Sequence, residues 1–310
     1  MNENYYLVLA GGVGAAKFIE GLANVVNPKS LKIIVNTGDD IELFGLKICP
    51  DLDIITYTLA SIVDKKKGWG FADESFNCLS ILKKFYDTGW FNAGDKDLAI
   101  HIYRTDLFQR GFTKTEITKK ICDKLGVKSE LIPMCNETVE TYIKTSTLNL
   151  HFEEYYIKYH CKPEVLNIEF KGIENSKMVD GILEYIKESK KIIICPSNPI
   201  VSIGTILQVA GIKEALSKVK RKVFAISPII ERSPIKGPAD KLMNCLGLEV
   251  SCYGVARYYK DFLGNFVIDN KDCNIKPKIE KLGIKTYCFD ILMTNLKKKK
   301  DLAQFVVNLK

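Results

Sequence analysis

Near the N-terminus, two apolar runs flank one amphipathic stretch, and the joint after the first run is nearly all glycine. Tyr5–Ala10 (YYLVLA) is short and continuous, and Gly11-Gly12-Val13-Gly14 follows it directly. The next stretch places Phe18, Ile19, Leu22, Val25 and Val26 on one face of a helix. Leu31–Val35 (LKIIV) is the second run, closed by Asn36-Thr37-Gly38-Asp39-Asp40. A buried strand, a glycine turn, a helix and a second strand in that order begin a parallel sheet.

Further along, Asp51 to Gly126 reads as mainly helical, with candidate helices at Leu52–Val63, Phe76–Thr88, Lys96–Arg104 and Lys114–Leu125. Asp95 and Thr113 stand where N-caps belong for the last two. Leu131–Met134, Thr138–Ser146 and Leu148–Tyr159 carry aromatics and threonines alternating with charges, and read as strands with an antiparallel hairpin. Ile192–Cys195 and Val223–Ile226 resume the strand pattern around a helix at Leu207–Lys218. The last quarter alternates short segments and ends in a helix to about Leu309. The expected architecture is one α/β domain over residues 1–310, a Rossmann-like, mostly parallel sheet with flanking helices. A mid-chain helical insertion (51–126) and a small antiparallel hairpin accompany it.

Composition removes several classes. No apolar run approaches the roughly 18 residues of a membrane span, and the first five residues carry no basic leader, so a cytoplasmic protein is expected. The 45 basic and 37 acidic residues give +8. The excess is mostly scattered lysine, with runs at Lys65–Lys67 and Lys297–Lys300 that read as solvated faces. No basic stripe is interleaved with aromatics, so nucleic acid is not an expected partner. The ten cysteines form no C-x-x-C pair and read as reduced, mostly buried thiols. With only His101, His151 and His160, a histidine-rich metal centre is not expected.

Ligands of open parallel sheets bind beyond the carboxyl ends of the strands, and four loops follow such ends. Gly11–Lys17 lacks the Gly-Lys-Ser/Thr of a P-loop, and Lys17 takes the third small position of the dinucleotide fingerprint. What remains is a side-chain-free run before a helix N-terminus, suited to a phosphate or to a plain tight turn. Asp39 and Asp40 are followed closely by Asp51 and Asp53. Hard oxygen ligands grouped this way suit Mg²⁺ held jointly with substrate phosphates. Asp51 also suits a helix cap, and Asp39 an Asx-turn. In Pro196–Gly204 (PSNPIVSIG), Asn198-Pro199 is a good cap and first-turn pair. Ser227-Pro228 and Lys236–Asp240 suit either a nucleobase edge or a rigid turn. Within the insertion, Trp69 lies between glycines, as a stacking ring does. His101 follows Asp97 by one helical turn, the spacing of a local hydrogen bond.

Taken in order, GGVGAAK (11–17), NTGDD (36–40), PDLD (50–53), GWG (68–70), GDKDLAIHIYRT (94–105), PSNPIVSIG (196–204), AISPII (225–230) and KGPADKLM (236–243) resemble one family. It is the 2-phospho-L-lactate transferase (CofD) family of coenzyme F-420 biosynthesis. The resemblance spans nearly the whole chain. It implies that a guanosine-diphosphate-activated phospho-acid is attacked by the ribityl hydroxyl of the deazaflavin Fo, with release of GMP and help from Mg²⁺. It also implies a homodimer.

Carried over by residue, Gly12, Gly14, Ser197, Asn198, Ser202 and Gly204 would surround the donor phosphates. Ser227, Gly237, Pro238 and Ala239 would lie near the guanosine. Asp40, Asp51 and Asp53 would hold the metal or orient the hydroxyl, Asn36 beside them, with Asp51 taking the hydroxyl proton. Trp69, Asp95 and Arg104 would help form the acceptor pocket. Cys135-Asn136-Glu137 departs from an expected Ser-Asp pair, and Cys49 from an expected serine. The acid is left open among phospholactate, phosphoenolpyruvate and phosphoglycerate.

Two rivals are weighed. A non-catalytic nucleotide-sugar-binding regulator of the same fold would follow the second strand with a glycine- and serine-rich loop, where this chain has Ile41-Glu42-Leu43. An NAD-dependent oxidoreductase is disfavoured by Lys17.

Overall fold

The computed structural model describes residues 5–86 and 89–310. Seven parallel strands form its centre: β1 (Tyr6–Ala10), β2 (Leu31–Val35), β3 (Glu130–Pro133), β4 (Lys191–Ile194), β5 (Val223–Ile226), β6 (Asn265–Ile268) and β7 (Lys285–Cys288). Their spatial order is β3-β2-β1-β4-β5-β6-β7. The order reverses between β1 and β4, where Leu7 pairs with Ile192 and Leu9 with Ile194. A crevice opens there at the carboxyl ends of the strands.

Continuous apolar runs form these strands because both faces are covered. Leu7 and Leu9 of β1 point into one core with Ile192, Ile194, Ala225 and Phe266. Tyr6, Val8 and Ala10 point into the other with Phe18, Ile19, Leu22 and Leu302. Helix α1 (Gly12–Ala23) supplies Phe18, Ile19 and Leu22 and lies between α2 (Pro50–Leu59) and the C-terminal helix Leu296–Asn308, which supplies Leu302.

Three more helices fall between β2 and β3: α3 (Asn77–Leu82), α4 (Asp95–Gln109) and α5 (Lys114–Lys124). Thr113 caps α5 in a full capping box with Glu116, as its position predicts. Asp95 does not cap α4. Gly94 takes that place, and the Asp95 carboxylate accepts from the backbone N–H of Asn77 and Cys78, tying α3 to α4. The expected helix Phe76–Thr88 is reduced to α3, and Asp87 and Thr88 lie outside the described residues.

Leu148–Tyr159 is not one strand. Asn149–His151 pairs antiparallel with Glu140–Lys144, whose other edge pairs with Asn167–Lys171, and Glu154–Lys158 coils into a single π-helical turn. The aromatics that suggest a strand are drawn inward instead, with Tyr155 fully buried. The expected helix Leu207–Lys218 breaks at Gly211, whose φ of +90° ends one helix at Gln208 and starts another at Ile212. Cys273 and Cys288 are joined in a disulfide, against the expectation of ten reduced thiols. No helix among the described residues is long and apolar enough to cross a membrane.

Candidate active site

The loops after β1, β2, β4 and β5 meet around one cavity of about 500 Å³. The glycine loop forms one wall. Gly12 takes a φ of +72° at the start of α1, a conformation that glycine adopts freely. Its N–H donates to Asp51 Oδ1 at 2.7 Å, and the Gly11 N–H donates to Ser197 Oγ at 3.4 Å. A Cβ on Gly14 would strike the Pro196 carbonyl oxygen, so the first and third loops are pressed together. Lys17 and Lys236 line the same end. Burial, followed by the Lys17 charge, pulls the Lys236 pKa below its ordinary value. Two ammonium groups beside the N-terminus of a three-turn helix make this end a receptor for an anion.

A group of acids faces that loop. The Asn36 side-chain amide donates to Asp39 Oδ2 at 3.1 Å and to Asp51 Oδ2 at 2.9 Å, while its oxygen accepts the Gly38 N–H at 2.9 Å. Asp39 is buried, and its Oδ1 has no hydrogen-bond partner among the described residues. Burial, and next the Asp51 charge, raise the Asp39 pKa well above the usual range. Burial lifts Asp51 to about 7 against the opposing bonds from Asn36 and Gly12. Burial, with the Asp51 and Asp40 charges, lifts Glu153 to about 8. Three carboxyls in one desolvated corner ionise together only if a cation joins them. The all-oxygen donors and the unpaired Asp39 oxygen fit a hard divalent ion such as Mg²⁺.

A second polar group lies deeper. Arg104 donates to Asp53 Oδ1, to the Lys47 carbonyl oxygen at 3.2 Å and to His101 Nδ1 at 3.1 Å. The Tyr57 hydroxyl donates to Asp97 Oδ1 at 2.6 Å. His101 Nε2 is 3.7 Å from that same oxygen. Burial, followed by the Asp53 charge, lifts Asp97 to about 7. Burial, helped by Arg104, lowers the His101 pKa well below normal. Around these groups stand Trp69, Phe91, Phe152 and Tyr156. The last two rings stack at 5.9 Å.

Eleven of the residues singled out from the sequence line this cavity: Gly12, Gly14, Asp51, Asp53, Trp69, Ser197, Asn198, Ser202, Gly237, Pro238 and Ala239. Six stand behind or away from the wall. Asn36 holds Asp39 and Asp51. Arg104 is buried behind Asp53. Asp40 accepts from Lys114 Nζ at 2.6 Å. Asp95 caps α3. A Cβ on Gly204 would come 2.9 Å from the Pro199 carbonyl oxygen. The Ser227 hydroxyl pins its own turn through Ile229. Asn198 Oδ1 caps the turn at Ile200 and Val201, one turn ahead of the helix that starts at Ile203. The residues carried over from the family resemblance did not include Asp39, Asp97 or Glu153, although the acidic spacing groups Asp39 with Asp40, Asp51 and Asp53 as candidate Mg²⁺ ligands. The first shares the NTGDD motif with Asp40, and which of the two faces inward depends on the turn.

The CofD family, 2-phospho-L-lactate transferase, matches residues 7–301. The chain belongs to this family. The 2-phospho-L-lactate transferase of Methanosarcina acetivorans is 37% identical over 303 residues, covering 98% of each chain. The phosphoenolpyruvate transferase of Streptomyces griseus is 37% identical over 309 residues, covering 98% of this chain and 97% of its own. Protein BH3568 from Bacillus halodurans superposes with a TM-score of 0.64 over 99% of this chain and 100% of its own, at 14% identity, which speaks to fold alone. The protein is therefore an enzyme, a transferase of coenzyme F-420 biosynthesis, and the non-catalytic and oxidoreductase alternatives give way.

Proposed function

We propose that the transferase moves a phospho-acid from its guanosine-diphosphate-activated form to the ribityl hydroxyl of the deazaflavin Fo, releasing GMP. The observation that carries this reading is one cavity with two unlike ends. The glycine loop, Lys17, Lys236, Ser197 and Ser202 offer an anion-binding end for the donor diphosphate. Trp69, Phe91 and Tyr57 offer a flat aromatic space for the acceptor ring. The acids lie on the same wall.

The acceptor oxygen attacks the phosphorus bonded to the acid, a new O–P bond forms, and the bond to the GMP phosphate breaks. The hydroxyl proton leaves late, to a cavity carboxylate. Rate then comes from alignment and charge neutralisation rather than from a strong base. Asp39 and Asp51 are the pair placed to hold Mg²⁺, with Glu153 beside them. Asp40 gives Oδ2 to Lys114, but its Oδ1 is buried without a partner among the described residues and its charge acts on Asp39, Asp51 and Glu153, so it is a further candidate ligand. When bound, the ion would neutralise charge on the transferring phosphoryl group. Asp53 orients Arg104 and the deeper polar group.

The family relatives include transferases of both phospholactate and phosphoenolpyruvate at equal identity, so the donor is decided by assay. A homodimer in the cytoplasm belongs to the same reading. The test is a fluorescence titration with Fo, with and without GDP and Mg²⁺, followed by GMP release from each of the three activated acids. Micromolar Fo binding strengthened by nucleotide supports the reading. Absence of Fo binding, or near-normal turnover in Asp51→Asn, overturns it.

A further inference from the structure

His101 and Asp97 face the cavity from one side of α4, and the transfer step assigns no task to the imidazole. Arg104 Nη1 lies 3.1 Å from His101 Nδ1. A guanidinium only donates, so Nδ1 accepts and Nε2 carries the hydrogen. That N–H is buried, in a side chain 1% exposed, and has no partner among the described residues. Asp97 Oδ1 is 3.7 Å away, too far for a hydrogen bond. Asp53 Oδ2 is likewise buried and unpaired. One ligand-type atom each from Asp53, Asp97 and His101 lies within 4.8 Å of the others. An unpaired buried donor and acceptor are costly unless something completes them.

Distances alone would also suit a metal ion, but Arg104 argues against one. A ligating Nε2 needs a bare lone pair, with the other ring nitrogen donating to a carboxylate or carbonyl. Here the other nitrogen accepts from a cation. The group that both accepts from an N–H and donates to a carboxylate, without adding charge, is a hydroxyl.

We propose that His101 and Asp97 form a hydroxyl-reading subsite for a polyol chain on the acceptor. The Nε2–H donates to a substrate hydroxyl oxygen, and the Asp97 carboxylate accepts that hydroxyl's hydrogen. Tyr57 fixes the Asp97 carboxylate, and Arg104 fixes the imidazole tautomer. The subsite rests on the acceptor reading above and adds to it the residues that select a hydroxylated side chain.

The experiment compares two deazaflavins by fluorescence titration: Fo, and an analogue bearing a saturated alkyl chain of the same length at the same ring nitrogen. Both are titrated into the wild-type protein, His101→Phe, His101→Gln and Asp97→Asn. The wild type is expected to prefer Fo by about tenfold or more, the worth of one to two hydrogen bonds. The preference falls below about threefold in His101→Phe and Asp97→Asn, while affinity for the alkyl analogue holds. His101→Gln, which restores an N–H donor, recovers part of the preference. Equal wild-type binding of the two ligands overturns the subsite and leaves the acceptor reading standing. Equal loss of both ligands in the variants makes the pair structural and overturns it too. Mn²⁺ binding that is lost in Asp97→Asn, with the hydroxyl preference unchanged, makes the cluster a cation site instead. If neither deazaflavin binds the wild type, the acceptor reading falls and the subsite falls with it.

Discussion

Glu153 offers the sharpest test of the electrostatics. It is 7% exposed, and burial, with the Asp51 and Asp40 charges, pushes its pKa up to about 8. In the unfolded chain the same carboxyl titrates near 4.5. Between those values the folded protein holds a proton that the unfolded chain releases. The group's contribution is therefore complete below about pH 4.5 and is lost as pH rises toward 8. At about 1.4 kcal/mol per unit, the loss reaches roughly 4 kcal/mol at pH 8 and is under about 1 kcal/mol at pH 5. Glu153→Gln removes the ionisable group and keeps its shape. An unfolding entropy of about 2.1 cal/mol/K per residue makes 1 kcal/mol worth about 1.5 °C in a chain this long. In EDTA, Glu153→Gln is expected to melt about 6 °C above wild type at pH 8 and about 1 °C above it at pH 5. Thermal melts followed by circular dichroism across that range read the difference. A variant that is less stable than wild type at pH 8, or a difference that does not change with pH, refutes the reasoning.

Mg²⁺ is expected to raise the melting temperature more at pH 8 than at pH 5, because its carboxylate ligands must be ionised. The effect should vanish in Asp51→Asn; equal shifts at both pH values would argue against a carboxylate site. Gly14→Ala is expected to lower the melting temperature by about 2–5 °C, the range of a small overpacking cost. A change under about 1 °C would show that the first and third loops are not pressed together. Arg104→Met leaves Asp53 buried without its cation, a loss of about 3–5 kcal/mol, and an unchanged melt would show that Asp53 finds another partner.

Much of this is legible in the sequence because the signals are local. Tyr5–Ala10, Leu31–Val35, Ile192–Cys195 and Val223–Ile226 are apolar runs bounded by turn residues, and each falls on a strand of the central sheet. Thr113 and Glu116 form a capping box that two residues suffice to announce. The failures occur where tertiary packing outweighs propensity. Phe152, Tyr155, Tyr156 and Tyr159 favour a strand, yet Phe152 and Tyr155 belong to the main core and Tyr156 and Tyr159 pack against it, and the chain coils to bring them there. Asp39 and Asp40 cannot be told apart by spacing. One faces the cavity and the other Lys114, through a turn set by the Asn36 side chain. His101 and Asp97 are one helical turn apart, which predicts a local bond. Arg104, one turn further along the same helix, instead takes Nδ1 and leaves Nε2 open. That arrangement depends on where three side chains meet.

On the proposed function, the charge layout also couples donor binding to the metal. The chain carries a net +8, yet Asp39, Asp51, Asp53, Asp97 and Glu153 line one cavity with, among the described residues, only Lys17, Lys236 and His101 as basic side chains on its wall. Part of that acid is neutral without a metal, because burial lifts Asp51 to about 7 and Glu153 to about 8. A diphosphate entering this cavity meets two lysines and a helix N-terminus on one side and the acid pair on the other. With no cation between them, the pair must either stay protonated or repel the diphosphate, and that repulsion would be strong in a desolvated space. A divalent ion held by Asp39 and Asp51 would turn the repulsive side into an attractive one. Donor affinity in the proposed function should therefore rise steeply with Mg²⁺, while deazaflavin affinity, set by aromatic walls and hydroxyl contacts, should follow it only weakly. On the proposed function, the same acids that would make the cavity hostile to phosphate alone would make it selective for phosphate bound with its metal.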